Sequence, residues 1–98
     1  MDLFVPKAGQ GPSKKQRENG FFNLKFYFNN GQQRYIAKVT GDMDPGYGST
    51  SKMITESAVC LVKECDDLKG GIYTSASSMG TKLIKRLEDN AGLIFKLE

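Results

Sequence analysis

Phe22-Asn23-Leu24-Lys25-Phe26-Tyr27-Phe28-Asn29-Asn30-Gly31 is the stretch that decides the fold. Phe22, Leu24, Phe26 and Phe28 alternate with Asn23, Lys25 and Tyr27, the two-residue period of a strand with one face buried. Asn30-Gly31 follows as a tight-turn signal, because both residue types tolerate positive φ. The run from Gln33 to Thr40 is therefore expected to return as the second arm of a hairpin, with Tyr35, Ala37 and Val39 on the face of the phenylalanines.

Downstream the period changes. A helix is expected from about Pro45 to Glu64, with Tyr47, Ser51, Ile54, Ala58, Leu61, Val62 and Cys65 as a stripe against the sheet and Lys52, Glu56 and Lys63 in water. Asp66 to Gly71 reads as a turn and Ile72-Tyr73-Thr74 as a short extended piece. A second helix should span about Ser75 to Asn90, with Ala76, Met79, Leu83 and Leu87 inward and Gly92 ending it in a left-handed conformation. Leu93, Phe95 and Leu97 then alternate against Ile94, Lys96 and Glu98 as a last strand, expected to finish the sheet at a natural C-terminus. Upstream, residues 1–12 read as an extended lead-in whose Leu3, Phe4 and Val5 belong against something else. Ser13 should cap a short helix that runs to Asn19 and stops at Gly20. The fold class is α+β, order β-β-α-α-β, a sheet of about three to four strands with two helices on one face. Residues 1–18 would be a lead-in and short helix from a preceding domain, and 19–98 the α+β domain.

With 98 residues there is room for one domain and a modest core. A net charge of +3 with 26% charged residues does not call for nucleic acid, and Lys14, Lys15 and Arg17 read as a solvated face. The chain has no histidine, which excludes a histidine-ligated zinc and a Ser-His or Cys-His nucleophile within it. Cys60 and Cys65, five apart, fit neither a CxxC redox pair nor a zinc site, and read as reduced thiols of a cytoplasmic protein. No apolar run approaches the roughly 20 residues of a membrane-spanning helix, and Met1 to Lys7 lacks the apolar core of a signal peptide.

The candidate functional residues lie where strand meets helix, in Gly41-Asp42-Met43-Asp44-Pro45-Gly46-Tyr47-Gly48. Asp44 can cap the helix and Pro45 suits its first position. Gly46 and Gly48 would leave backbone N–H groups open to an anion. Ser49-Thr50-Ser51 at this helix start and Thr74-Ser75-Ala76-Ser77-Ser78 at the next are both rich in hydroxyls. If the two ends converge, they would favour a carboxylate, thioester or phosphate; the alternative is that these residues only cap helices. Gly46-Tyr47-Gly48 imitates a dinucleotide fingerprint, but Pro45 imposes a capped turn and Ile72 to Thr74 brings no acid for a ribose. A phosphate loop fails because Tyr47 and Gly48 stand where lysine and a hydroxyl residue are needed. Base stacking on Phe26, Tyr27 and Phe28 is disfavoured, since the phenylalanines share the face that the helices need.

Gly41 to Met53, with Gly9-Gln10-Gly11-Pro12-Ser13 before it and Gly70-Gly71-Ile72-Tyr73-Thr74 and the Met79 to Leu87 helix after it, resembles the C-terminal part of the saccharopine dehydrogenase-like oxidoreductases, the family that includes the trans-acting enoyl reductases. These stretches lie in family order across nearly the whole chain; the departure is Ser75, where members usually carry a proline. The resemblance implies a C-terminal domain that contributes substrate-side surface and is not catalytic alone. NAD(P) would sit in a missing N-terminal Rossmann domain, with no cofactor in this chain. The substrate would be lipid-linked or acyl, and the intact protein cytoplasmic or membrane-associated. Asp44, Gly46, Tyr47, Ser49, Thr50, Thr74 and Ser75 would face substrate or the domain interface. The alternative from another class is a free-standing, non-enzymatic interaction module that docks on a partner or forms a homodimer.

Overall fold

The computed structural model describes residues 7–98, so the expectation for Leu3, Phe4 and Val5 lies outside the described residues. In chain order the elements are α1 (Lys14–Asn19), β1 (Phe22–Asn29), β2 (Arg34–Gly41), α2 (Gly48–Glu64), α3 (Ser75–Asn90) and β3 (Leu93–Leu97). Among the described residues this is the expected α+β class, with three strands. The sheet is antiparallel throughout, in the order β1-β2-β3.

Register turns the alternating pattern into rows across the sheet. Phe22 lies opposite Gly41, and Gly41 opposite Leu93; Leu24, Val39 and Phe95 make the next row. Phe26, Ala37 and Leu97 follow, and Phe28 faces Tyr35 with its ring stacked 5.3 Å away. One face is thus apolar from end to end, as the sequence period requires. Gly41 is a glycine by necessity, because the Phe22 ring lies where a Cβ would be. The hairpin loop differs from the expectation in one detail. Only Gly31 takes positive φ, at 88°, while the Asn30 side chain accepts from the backbone N–H groups of Gln32 and Gln33.

Helices cover only part of this face. Leu87 and Ala91 of α3 and its C-terminal cap pack with Leu93 on Phe22, Val39 and Phe95, and Met53 of α2 reaches the same cluster. A second cluster joins Cys60 and Cys65 to Met79. Leu24, Phe26, Phe28 and Leu97 stay about half exposed or more. An apolar groove of about 340 Å³ runs between sheet and helices, walled by Leu24, Val39, Pro45, Met53, Leu87 and Phe95. The radius of gyration is 16.8 Å, against about 13 Å for a compact domain of 100 residues.

Several helix expectations need correction. Of the α2 stripe expected against the sheet, Cys65 is buried but the rest points outward: Ile54 is 68% and Val62 77% exposed, and Tyr47, Ser51, Ala58 and Leu61 are also exposed. The face turned inward carries Ser49, Met53, Glu56 and Cys60, so Glu56 is not on the wet side. The second helix is not continuous, because Gly80 at φ 49° and ψ −129° breaks it after its first turn, and Ala76 in that turn is exposed. Met79, Leu83 and Leu87 do face inward, and Gly92 takes φ 69° just past the end.

Leu87→Ala is expected to cost about 2–5 kcal/mol by leaving a cavity, and Leu97→Ala in the bare row about 0.5 kcal/mol or less. Urea midpoints at constant slope measure both. Equal costs would mean that the Leu97 row is covered in solution.

Candidate functional site

Asp44 organises the strand-to-helix junction, one turn earlier than a helix cap would. Its carboxylate accepts from the Tyr47 N–H at 2.8 Å and the Gly48 N–H at 3.4 Å, while its carbonyl accepts from the Ser49 N–H at 2.7 Å. Pro45, Gly46 and Tyr47 therefore form a separate turn, and α2 begins at Gly48 rather than at Pro45. A short helix buttresses this turn. The Arg17 carbonyl of α1 accepts from the Asp44 N–H at 3.0 Å, and Gly20 gives the room, since a Cβ there would collide with the Asp44 backbone. The α1 cap is a reciprocal Ser13–Gln16 box.

These bonds decide what the junction can bind. The Tyr47 and Gly48 N–H groups already hold the Asp44 carboxylate, so the chain supplies its own anion where an external one was expected. A pyrophosphate would meet that charge, and Gly48 and Ser49 are buried; the residues do not fit a dinucleotide. Hydrogen bonds from the Tyr47, Gly48 and Gly46 backbone, opposed by some desolvation and helped by the Arg17 charge, hold the Asp44 carboxyl below its ordinary value of 3.8.

The other candidate residues are mostly engaged locally. The Thr50 hydroxyl donates to the Pro45 carbonyl. Thr74 caps α3, its hydroxyl accepting from the Ser77 N–H at 3.2 Å, and Ser75 is exposed at the first helical position. Ser49 is fully buried, and among the described residues its hydroxyl has no partner. Tyr47 is 62% exposed beside Gly11, and Gly46 is exposed. The two hydroxyl-rich helix starts do not meet. Helices α2 and α3 run antiparallel, with Cys65 at the end of one against the Ser78 carbonyl near the start of the other, and Asn90 at Glu56. What the structure brings together at the junction is Asp44, Gly46, Tyr47 and Thr50, with Ser49 beneath and Thr74 and Ser75 at the far end of the helix pair.

Sequence reasoning missed Arg86. Its Nε donates to Glu56 at 2.8 Å and its Nη1 to Glu64 at 2.7 Å, so one guanidinium bridges carboxylates on α2 from the middle of α3. Glu56 also accepts from Asn90 at 3.2 Å. The pair of carboxylates raises the Arg86 pKa further, keeping it cationic. No local signal exposes a contact 30 residues apart; the only hint was an acid, Glu56, sitting at helical spacing from Cys60. Both cysteines are free and buried, and burial, first among the causes, pushes the Cys60 thiol up. Among the described residues no cluster of His, Cys, Asp and Glu could hold a metal ion, and no helix is long and apolar enough to cross a membrane.

Comparison with known proteins gives one consistent name. The chain is 38% identical over 86 residues to a Mycobacterium tuberculosis protein whose name marks it as an inferred trans-acting enoyl reductase, a match covering 85% of this chain and 20% of that protein. It is 34% identical over 90 residues to the trans-acting enoyl reductase of Mycobacterium ulcerans, covering 89% of this chain and 21% of the relative. For the Mycobacterium bovis trans-acting enoyl reductase the figures are 34% over 97 residues, 96% and 23%. The chain thus spans about a fifth of the length of the relatives it matches. No family model and no solved structure matches it.

Because Asp44 has a lowered pKa in the folded protein, the stability it contributes is full above its unfolded value and is lost as pH falls through the folded one. Asp44→Asn keeps an acceptor at the turn but cannot titrate. Its urea midpoint is expected to fall less steeply than that of the wild type below about pH 4. Identical acid slopes would remove Asp44 as the titrating cap.

Proposed function

We propose that this chain is the C-terminal α+β section of a saccharopine dehydrogenase-like, NAD(P)-dependent oxidoreductase of the trans-acting enoyl reductase kind, with residues 1–18 leading in from the preceding domain. The observation that supports this most is the similarity over 85–96% of the chain to about a fifth of proteins bearing that name. The bare apolar surfaces fit the same reading, since a section of a larger fold exposes what its other parts would cover. The intact protein would be cytoplasmic, or lie on a membrane to meet a lipid-linked enoyl substrate.

In this reading the preceding Rossmann domain holds the nicotinamide. When bound there, it would supply the hydride for reduction of an enoyl group, whose product also takes up a proton. This chain's share is positioning. Asp44 fixes the junction turn and Gly46 keeps it open, so that the exposed Tyr47 phenol faces substrate or the domain interface; Thr50 ties the turn to α2. Ser49 supports the junction from within, and Thr74 and Ser75 form a separate surface at the start of α3.

The gene upstream of the Met1 codon is the first test: an open frame encoding a strand-GxGxxG-helix pattern is expected, and a stop codon in its place would overturn the reading. In that longer polypeptide, Tyr47→Ala is expected to slow nicotinamide-dependent reduction of an enoyl thioester about tenfold or more. Lys14→Ala, remote on the exposed face of α1, should leave the rate unchanged. Equal rates for wild type and Tyr47→Ala would remove Tyr47 from the site.

A further inference from the structure

The two edges of the sheet are not alike. Along β3 the outward N–H of Phe95 is taken by the Glu88 carboxylate of α3 at 3.2 Å, so that edge is partly closed from within the chain. Along β1 nothing comparable occurs. The Asn30 N–H bonds the Gln33 carbonyl, and Ile36 exchanges both backbone bonds with Glu98. Antiparallel alternation then turns the N–H and C=O groups of Phe22, Leu24, Phe26 and Phe28 toward β2 and those of Asn23, Lys25, Tyr27 and Asn29 outward. Among the described residues, none of these outward N–H groups has a partner, and β2 is the element that packs extensively on β1. The strand is eight residues long, with no proline and one lysine. Natural edges of this length are blunted by charge, proline or a bulge, or they are paired.

We propose that β1 pairs antiparallel with β1 of a second copy of this chain, about a two-fold axis at Phe26, making a continuous six-stranded sheet. The strand is self-complementary in that register. Lys25 stands opposite Tyr27 of the partner subunit, and Asn23 opposite Asn29 of the partner subunit, each pair exchanging two backbone hydrogen bonds. On the apolar face Phe26 meets Phe26 of the partner subunit, and Leu24 meets Phe28 of the partner subunit, joining the two bare ends of the sheets into one aromatic surface. Shifting the axis to Lys25 would oppose two ammonium groups, which disfavours that register. The proposal rests on edge geometry and cross-strand chemistry, and it stands whether or not the chain belongs to a longer oxidoreductase.

Sedimentation of the 98-residue chain tests it, with a mass twice the 10.8 kDa of one copy expected. Tyr27→Pro removes only an outward N–H and leaves the β1–β2 ladder intact, so a monomer with unchanged far-UV circular dichroism is expected. Tyr27→Lys sets a second ammonium opposite Lys25 of the partner subunit and should weaken the dimer. Adding Lys25→Glu to it should restore the dimer through two opposite-charge pairs, a recovery that loss of folding could not produce. A monomeric wild type, a dimer that survives Tyr27→Pro, or failure of the charge swap to restore association would each overturn the proposal.

Discussion

Arg86 sets how the helices lie, and much else follows from it. A guanidinium with only 21% of its side chain exposed needs partners for its charge, and Glu56 and Glu64 supply them from two turns of α2. Meeting both carboxylates fixes the rotation of α2 about its own axis. The face that carries Glu56, Cys60 and Glu64 must turn toward α3, so the more apolar stripe of Ile54, Ala58, Leu61 and Val62 is left facing outward. Lys82 reinforces the arrangement by donating to the Glu64 carbonyl at 2.6 Å and to Asp67 at 3.2 Å.

That rotation leaves the molecule with more apolar surface than it covers. Leu87, Ala91 and Met53 occupy the rows built on Gly41 and Val39, where Gly41 lets Phe22 lie flat across its neighbour. Beyond them the rows of Phe26 and Phe28 are bare, and the groove under Met53 stays open. An isolated domain would lose stability by this plan, whereas a section of a larger assembly uses such faces for contact. In the proposed reading, the outward stripe of α2 and the bare rows would be such contact faces.

How far this was legible in the sequence depends on the range of the interaction. Strand alternation from Phe22 to Phe28 and from Leu93 to Leu97 was readable, because side chains on a strand change face at every residue whatever surrounds them. The left-handed Gly92 and the Ser13 cap were readable for the same local reason. The inward face of α2 was not. A helical period reveals that a stripe exists, but burial is decided by what lies opposite, and here a contact from Glu56 to Arg86 outweighed the apolar pattern. At the junction, Asp44, Pro45 and Gly46 gave the right residues for a capped turn but not its extent. Asp44 satisfies the N–H groups of Tyr47 and Gly48, which closed the anion site that the glycines suggested. The convergence of the two hydroxyl-rich helix starts failed for a topological reason, since a short connection makes neighbouring helices antiparallel and sends their N-termini to opposite ends.

The outward stripe of α2 is the most direct place to test the account. A cysteine introduced by Val62→Cys should react quickly with a thiol reagent in the 98-residue chain, where Val62 is 77% exposed and the native Cys60 and Cys65 are buried. If the chain is part of a longer polypeptide as proposed, the same thiol is expected to react far more slowly there, because the proposed preceding domain would cover it. An unchanged rate would contradict the claim that this face is made for contact within a larger enzyme.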